Sequence, residues 1–454
     1  MSDHPQYYLA DLPKEARLTP ELIAEACRGI RRNRDRCFRH KETGHLVRML
    51  AELAGEWLDG SNTHRRRAVL EGPAHTGFSS ETISEGLDRF FSGVTTDSLE
   101  RLLDQEMGCR RALDRWSADG DGPSHTRKSR ARGPHLIANI AGGCLPNPVW
   151  VDIILGVLAR SAQFVKCASG ASFLPRVFLH SLHEKDPLVG ACVEIAEWRG
   201  GSLPLEEALF AEADCVVATG SDQTLEALRP RIPTRTRFVA HGHRVSLAYV
   251  GRERLEAAEL GRTMEAVVED LTAWDQLGCL SPHVVYVETG AALSPAEFAA
   301  KLSVALEDRE GRTPRGMLPP EDAAAITTHR LAYSVRAAAA LGTQIWQSKD
   351  STAWTVVFEE DPAFRLSCLN RFALVKPAAE LDAFLTALAP VEGSVSTIGL
   401  GVPQPRAAHF ATALAHWGAT RICPLGKMQS PPVFWRHDGR PPLGDLLTWT
   451  DFES

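Results

Sequence analysis

From His135 onward, short apolar or β-branched runs alternate with segments of helical periodicity, and this rhythm constrains the fold more than any other feature of the chain. The runs HLIANIA, QFVKC, CVEIA, CVVATG, RFVAH and SLAYV are separated by helical stretches such as Ala171 to His183 and Leu205 to Ala211. Strands that recur with a helix between them read as parallel, joined by crossovers. A long helical pattern from Arg252 to Gln276 follows, and then a second series: HVVYVET, helices near Ala296 to Leu306 and Glu321 to Ala340, WTVVFE, RFALVK and VSTIGL. The alternation therefore predicts two α/β domains with parallel sheets.

The region before the first run has a different period. Segments around Pro20 to Leu58 and Ser80 to Trp116 repeat apolar residues every three or four positions, with Asp97 and Glu100 placed like the start of a capped helix. Residues 117–133 (SADGDGPSHTRKSRARG) are polar, then basic, and read as a linker. The resulting partition is 1–130, a helical N-terminal region with linker; 131–274, the first α/β domain; 275–425, the second; and 426–454, a tail packing back on the core.

Several function classes are excluded by composition. The chain has 454 residues, 44% of them hydrophobic, which is ample for a large core, and 50 Lys+Arg against 57 Asp+Glu gives a net charge of −7. No basic excess favours nucleic acid or an anionic membrane. Arg31-Arg32 and Arg65-Arg66-Arg67 are short clusters that read as solvated helix faces. The N-terminus lacks a basic and then apolar leader pattern, so a cytoplasmic protein is expected. Leu136 to Ala159 approaches membrane-spanning length, but Gly142-Gly143, Pro146-Asn147-Pro148 and Asp152 break it into strand, loop and helix, so no integral membrane segment is expected. Ten scattered cysteines form no C-x-x-C pair and no cluster at zinc-ligand spacing, so no metal site is expected and most should be reduced, buried and small-hydrophobe-like.

Three stretches carry chemistry. In Trp274-Asp275-Gln276-Leu277-Gly278-Cys279-Leu280-Ser281-Pro282, a cysteine sits after Gly at the end of the long helical pattern and before a strand, a position that can expose sulfur to a cleft; by local sequence alone it reads better as one more buried cysteine. In Cys215 to Leu225, strand, Thr219-Gly220-Ser221 turn and helix start follow one another, so Gly220 permits close backbone approach, and Ser221 with the helix start can meet a phosphate or ribose. Lys166 stands at a strand end after a helix, with Ser169 three residues on. Turns and lysines of this kind also occur for packing and solvation alone.

Taken in order, these elements resemble the aldehyde dehydrogenase superfamily, and within it the LuxC-type acyl-CoA reductases. The narrower resemblance rests on Thr76-Gly77-Phe78-Ser79, His241-Gly242-His243-Arg244-Val245-Ser246, Gly418-Ala419-Thr420-Arg421-Ile422-Cys423-Pro424-Leu425-Gly426, and Trp435-Arg436-His437-Asp438-Gly439 through Leu447-Thr448-Trp449. It implies an aldehyde-dehydrogenase-like fold in which 131–274 binds a nicotinamide cofactor through Lys166, Ser169, Thr219, Gly220 and Ser221, and 275–425 carries Cys279 as the nucleophile. Two departures from the hydrolytic pattern stand out. Where a water-activating glutamate is usual, this chain has His241-Gly242-His243; where an oxyanion-binding asparagine is usual it has Cys144, leaving Asn147 and the Cys279 backbone N–H as candidates.

The implied activity is NADPH-dependent reduction of a fatty acyl thioester, carried by CoA or an acyl carrier protein, to the aldehyde through a Cys279 acyl-enzyme, with His241 or His243 exchanging a proton or serving only as an oriented hydrogen-bond partner. NADPH is expected to serve at least as well as NADH because Ser169 replaces a carboxylate that would repel a 2′-phosphate. A CoA-acylating aldehyde dehydrogenase working in the oxidative direction and a catalytically silent interaction subunit stay open, as does homo-oligomerisation.

Overall fold

A computed structural model describes residues 6–13, 15–118, 127–340 and 342–453. Its strands are β1 (Ser117–Ala118), β2 (Arg127–Arg132), β3 (Leu136–Ile140), β4 (Ala162–Cys167), β5 (Val193–Glu197), β6 (Cys215–Thr219), β7 (Arg237–His241), β8 (Val245–Val250), β9 (Pro282–Glu288), β10 (Thr343–Gln347), β11 (Thr355–Glu359), β12 (Phe372–Ala378), β13 (Val395–Gly401), β14 (Arg421–Pro424) and β15 (Thr448–Glu453). The chain divides into two compact units, one comprising residues 1–76, 90–242 and 432–454, the other residues 77–89 and 243–431.

The first unit is built on a five-stranded, all-parallel sheet in the order β5-β4-β3-β6-β7. Both faces are covered, which is why its strands read as apolar runs. On one face Ile23, Cys27 and Ile30 of the helix Pro20–Cys37 pack with Leu136, Ala138, Phe164 and Val216. Elsewhere in the unit Trp57, Phe91, Trp150 and Phe178 form a contiguous ring cluster that joins the helices Thr43–Leu58, Asn147–Leu158 and Phe173–Lys185. The helix Thr96–Met107 is capped two residues before Asp97: Thr95 Oγ1 accepts from Ser98 N, and Ser98 Oγ accepts from Thr95 N. Of the polar stretch 117–133, β1 and β2 pair antiparallel, and β2 pairs with β15 over Thr448–Glu453; residues 119–126 lie outside the described residues.

The second unit holds a seven-stranded sheet, β10-β11-β12-β9-β8-β13-β14, parallel except for the antiparallel edge strand β10. One face buries Val267, Leu271, Phe298 and Leu302 from the helices Ala257–Thr272 and Pro295–Arg312; the other buries Ile326, Phe384 and Phe410 from three more helices. SLAYV, the last run of the first series, lies in β8, next to the central strand β9 of this sheet, and all six residues of β8 are buried. Parallel strands buried on both faces carry no mark of which sheet they join, so the run was assigned by chain order alone. Among the described residues no helix is long and apolar enough to cross a membrane.

Candidate functional site

In the first unit, candidate residues gather at the carboxyl ends of the strands. Chain order moves from β3 through β4 to β5 at one edge and from β6 to β7 at the other, so the ligand crevice of such a sheet falls between the ends of β3 and β6. Gly142 follows β3 there, and a Cβ on it would run into the Thr219 carbonyl oxygen. A Cβ on Gly220 would meet only Thr224, at 3.5 Å, which leaves that turn open to an approaching group.

Lys166, paired between Ile140 and Ala196, is 5% exposed, with its ammonium 5.9 Å from the centre of the Trp198 ring. Burial pulls its pKa below the ordinary lysine value, against the pull of Glu206 and Glu197. Both carboxylates serve other donors: Glu206 accepts from Arg231 at 2.5 Å and Gly201 N at 2.9 Å, while Glu197 accepts from Gly170 N and Ser172 Oγ, each at 2.6 Å. A buried ammonium whose neighbouring carboxylates are engaged elsewhere fits a cation kept for an anionic ligand. Ser169 is exposed in the turn after β4. Ser221 caps the seven-residue helix Asp222–Leu228 by accepting from Thr224 N, so its hydroxyl is engaged by the chain itself.

His241 closes β7 opposite Thr219, and its carbonyl accepts from Gly220 N at 3.1 Å. Its Nδ1 lies 3.1 Å from Asp438 Oδ2, and its ring stacks on His437 at 4.3 Å with planes 8° apart. These partners arrive on the C-terminal segment, anchored to the same unit by Arg237, which donates to the Asp445 and Leu447 carbonyls, and by Glu106, which accepts from Leu443 N and Gly444 N. Asp152, on the helix Asn147–Leu158, acts electrostatically on His241; burial pushes its carboxyl up to about 7, with His241 opposing. Asn147 heads that helix, its Oδ1 buried without a hydrogen-bond partner among the described residues, and Cys144 is exposed just before it.

In the second unit Cys279 lies in the turn that enters β9 and is exposed; of the ten cysteines only Cys144 and Cys279 are. The chain reaches it through Trp274, Asp275 and Gln276, all left-handed, with φ of 48°, 52° and 67°. Such backbone is costly for these residue types and persists only where the surroundings over-determine it. Trp274 packs its ring edge-on to Phe78 and lies against Gly86, where a Cβ would clash with the indole. Asp275 accepts from Arg371 Nε at 3.0 Å and from Gly316 N at 3.1 Å; Gln276 bridges Pro282 O, Phe372 O and Phe372 N. Beyond the turn, Ser246 Oγ donates to Cys279 O at 2.7 Å, and Gln429 Nε2 donates to Ser281 Oγ at 2.7 Å. His243 is exposed in this unit and, with burial as the larger cause, helps hold the His283 imidazole down at about 4.

The sequence reading missed Asp438, His437, Asp152 and Glu197. Asp438 is 197 residues from His241, so no local spacing connects them, although both stand in motifs that the reading singled out.

The chain is similar to known proteins in sequence and in fold. A long-chain acyl-protein thioester reductase of Photorhabdus laumondii subsp. laumondii is 20% identical over 416 residues, 90% of this chain and 82% of the relative. One of Photorhabdus luminescens is 20% identical over 248 residues, 53% of this chain and 49% of the relative, so the match spans about half of that protein. Among solved structures, bifunctional proline utilization A (PutA) superposes with a TM-score of 0.73 at 14% identity, covering 97% of this chain and 45% of that one. The glyceraldehyde-3-phosphate dehydrogenase GapN of Methanocaldococcus jannaschii, solved with NADP, gives 0.69 at 10% identity with 99% of both chains covered. An NAD-dependent benzaldehyde dehydrogenase of Corynebacterium glutamicum gives 0.70 at 12%, covering 96% of this chain and 91% of the other. The fold is that of the aldehyde dehydrogenases. The family model described as acyl-CoA reductase (LuxC) matches residues 39–449, nearly the whole length described above, and the chain belongs to that family.

Proposed function

We propose that the protein reduces a fatty acyl thioester, carried by CoA or an acyl carrier protein, to the aldehyde through an acyl-enzyme on Cys279, using NADPH at least as well as NADH. The observation that carries the proposal is the setting of Cys279: an exposed cysteine on a turn held by hydrogen bonds on both sides, one of them fully buried, in a chain whose other cysteines, Cys144 apart, are covered at least in part. A thiol must be reachable and held in register to attack a carbonyl.

Cys279 sulfur adds to the thioester carbonyl, the carrier thiolate leaves and takes up a proton, and the acyl group remains as a new thioester on the enzyme. Lys166 and the open Thr219-Gly220 turn would hold the nicotinamide nucleotide, which when bound supplies a hydride. The thiohemiacetal on Cys279 then loses its hydroxyl proton and collapses to aldehyde with the sulfur as leaving group. His241 and His243 are the candidate proton-exchanging groups. Asn147 and the Cys279 N–H are the candidate donors to the developing oxyanion.

The test is oxidation of NADPH across acyl-thioester chain lengths, with aldehyde detected directly, for the native chain and Cys279→Ala. The substitution is expected to abolish both acyl transfer to the protein and aldehyde formation, because a methyl group cannot attack. Substantial turnover in Cys279→Ala overturns the assignment, and stoichiometric acylation of Cys279 without aldehyde under NADPH favours a silent interaction subunit.

A further inference from the structure

We infer that Asp438 is a positioning residue for His241: by accepting the Nδ1 proton it sets the tautomer of the ring, so that Nε2 is the nitrogen that takes up and returns protons. The inference rests on the proposed acyl-thioester chemistry for its use, but the arrangement is within one unit and can be read without it.

Three observations converge. The Nδ1 to Oδ2 separation of 3.1 Å is a hydrogen bond, and a carboxylate can only accept, so the proton on that edge belongs to His241. Both groups are largely covered, with side-chain exposures of 11% for His241 and 5% for Asp438, so the bond is shielded from competing water. Asp438 holds its position in a left-handed turn, with φ 53° followed by Gly439 at 76°, closed by Gly439 N on Arg436 O and Arg440 N on His437 O. Strain kept at one residue whose side chain meets an imidazole points to selection for that meeting. The stacked His437 ring, itself 4.9 Å from Trp435, holds the plane of His241 on one side.

The same three side chains, His241, His437 and Asp438, place ligand atoms within 4.8 Å of one another, which raises the alternative of a bound cation. The ring geometry opposes it. Imidazole lone pairs lie in the ring plane, and two nearly parallel planes stacked at 4.3 Å direct theirs side by side, whereas an ion about 2.1 Å from both nitrogens needs them to converge.

The charged or titratable groups around the ring are Asp438 and His437 on the C-terminal segment, Asp152 on the helix Asn147–Leu158, Asp222 beside Gly242, and Arg440, whose Nη1 approaches Ala240 O. Protons balance simply: Nδ1 keeps its proton throughout, donated in a hydrogen bond to Asp438, and each proton gained at Nε2 is later returned from Nε2.

The test uses the full chain labelled with 15N in histidine rings, with His241→Gln identifying the resonances. Native protein is expected to show His241 protonated at Nδ1 when neutral, and Asp438→Asn, which can present an amide N–H to that nitrogen, is expected to move the proton to Nε2. In single-turnover acylation by an acyl-CoA, Asp438→Asn should slow carrier release at least tenfold and change its pH profile, while leaving iodoacetamide labelling of Cys279 unchanged. His437→Ala, a milder probe of the same support, should loosen the stack and slow the step by less. An unchanged tautomer, or acylation within twofold of native with the same pH profile, overturns the inference. Stoichiometric zinc in purified native protein that is lost in His437→Ala overturns it in favour of an ion site. If native protein forms no acyl-enzyme, the proposed function fails, while the tautomer measurement still decides the role of Asp438.

Discussion

Gln276→Leu tests whether the turn before Cys279 is held by hydrogen bonds or only by packing. Leu matches Gln closely in volume, so little cavity results, and the side chain is fully buried. The native amide donates to Pro282 O at 2.8 Å and Phe372 O at 3.2 Å and accepts from Phe372 N at 2.8 Å. Two of these groups keep other partners, since Phe372 O still accepts from Ser367 Oγ and Phe372 N still reaches Leu369 O. Pro282 O loses a good donor, at a cost of about 1 to 3 kcal/mol for a stranded buried acceptor, and the two weakened bonds add about 0.5 to 1 kcal/mol together. The expected loss is thus about 1.5 to 4 kcal/mol in the unfolding transition that includes β9 and β12. Urea unfolding gives the magnitude, and hydrogen exchange over residues 370–376 gives the place. Because Gln276 ends the left-handed run leading to Cys279, iodoacetamide labelling of Cys279 should change in rate as well. A loss below about 0.5 kcal/mol with native exchange protection would show that Trp274 and Asp275 fix the turn without Gln276.

Ser169→Glu is expected to shift the NADPH to NADH ratio of kcat/KM about tenfold toward NADH, a change of about 1.4 kcal/mol, because it restores a carboxylate where Glu197 is already turned to Gly170 N and Ser172; a native enzyme strongly preferring NADH refutes the argument. Glu194, pushed up to about 7 chiefly by burial, has a folded pKa above its unfolded one, so its contribution is complete below about pH 4.5 and is lost as pH rises through 7. Glu194→Gln, which keeps an acceptor for Leu9 N and Ile195 N, should flatten the fall of stability between those values in pH-dependent urea titrations. Acyl-enzyme formed without reduced cofactor should decay slowly to acid and then release aldehyde rapidly when NADPH is added; decay to acid at the catalytic rate refutes that expectation.

The strands that sequence reading recovered, β7 apart, share one property: most of their residues are buried. Val245–Val250 and Pro282–Glu288 are buried at every position, and a strand covered on both faces must be written as a continuous apolar run. Strands of the small antiparallel sheet have no such obligation: β2 reads RKSRAR with four of six residues exposed, and β15 reads TWTDFE with all six exposed, so a basic strand passed for a linker. The position of Cys279 was legible from element order, whereas the Trp274-Asp275-Gln276 turn was not, because of the three only Asp275 is of a type that adopts left-handed backbone with any ease, and one aspartate does not announce a run of three. Its cause lies in Arg371, Phe372 and Gly86, distant in sequence. His241 was legible as a candidate, and its orientation was not, for the same reason of distance.

In the proposed reaction the balance between reduction and hydrolysis turns on what folding brings to His241. The strand ending in His241 carries no carboxylate, and from sequence that absence alone spoke against activation of water. Folding brings Asp438 and Asp152 to the same imidazole. Asp438 is turned to Nδ1, so it cannot itself reach water on the Nε2 side, but its hydrogen bond leaves Nε2 as the nitrogen of His241 that can meet water or a thiol. Slow hydrolysis then requires that Nε2 be used for the carrier thiol and that water be excluded while the acyl group waits. The discriminating result is the Asp438→Asn acyl-enzyme. If its residual decay to acid is as slow as that of the native acyl-enzyme, the imidazole was never the hydrolytic base, and protection comes from exclusion of water. If the decay slows further, the dyad supplies whatever hydrolysis the native enzyme shows.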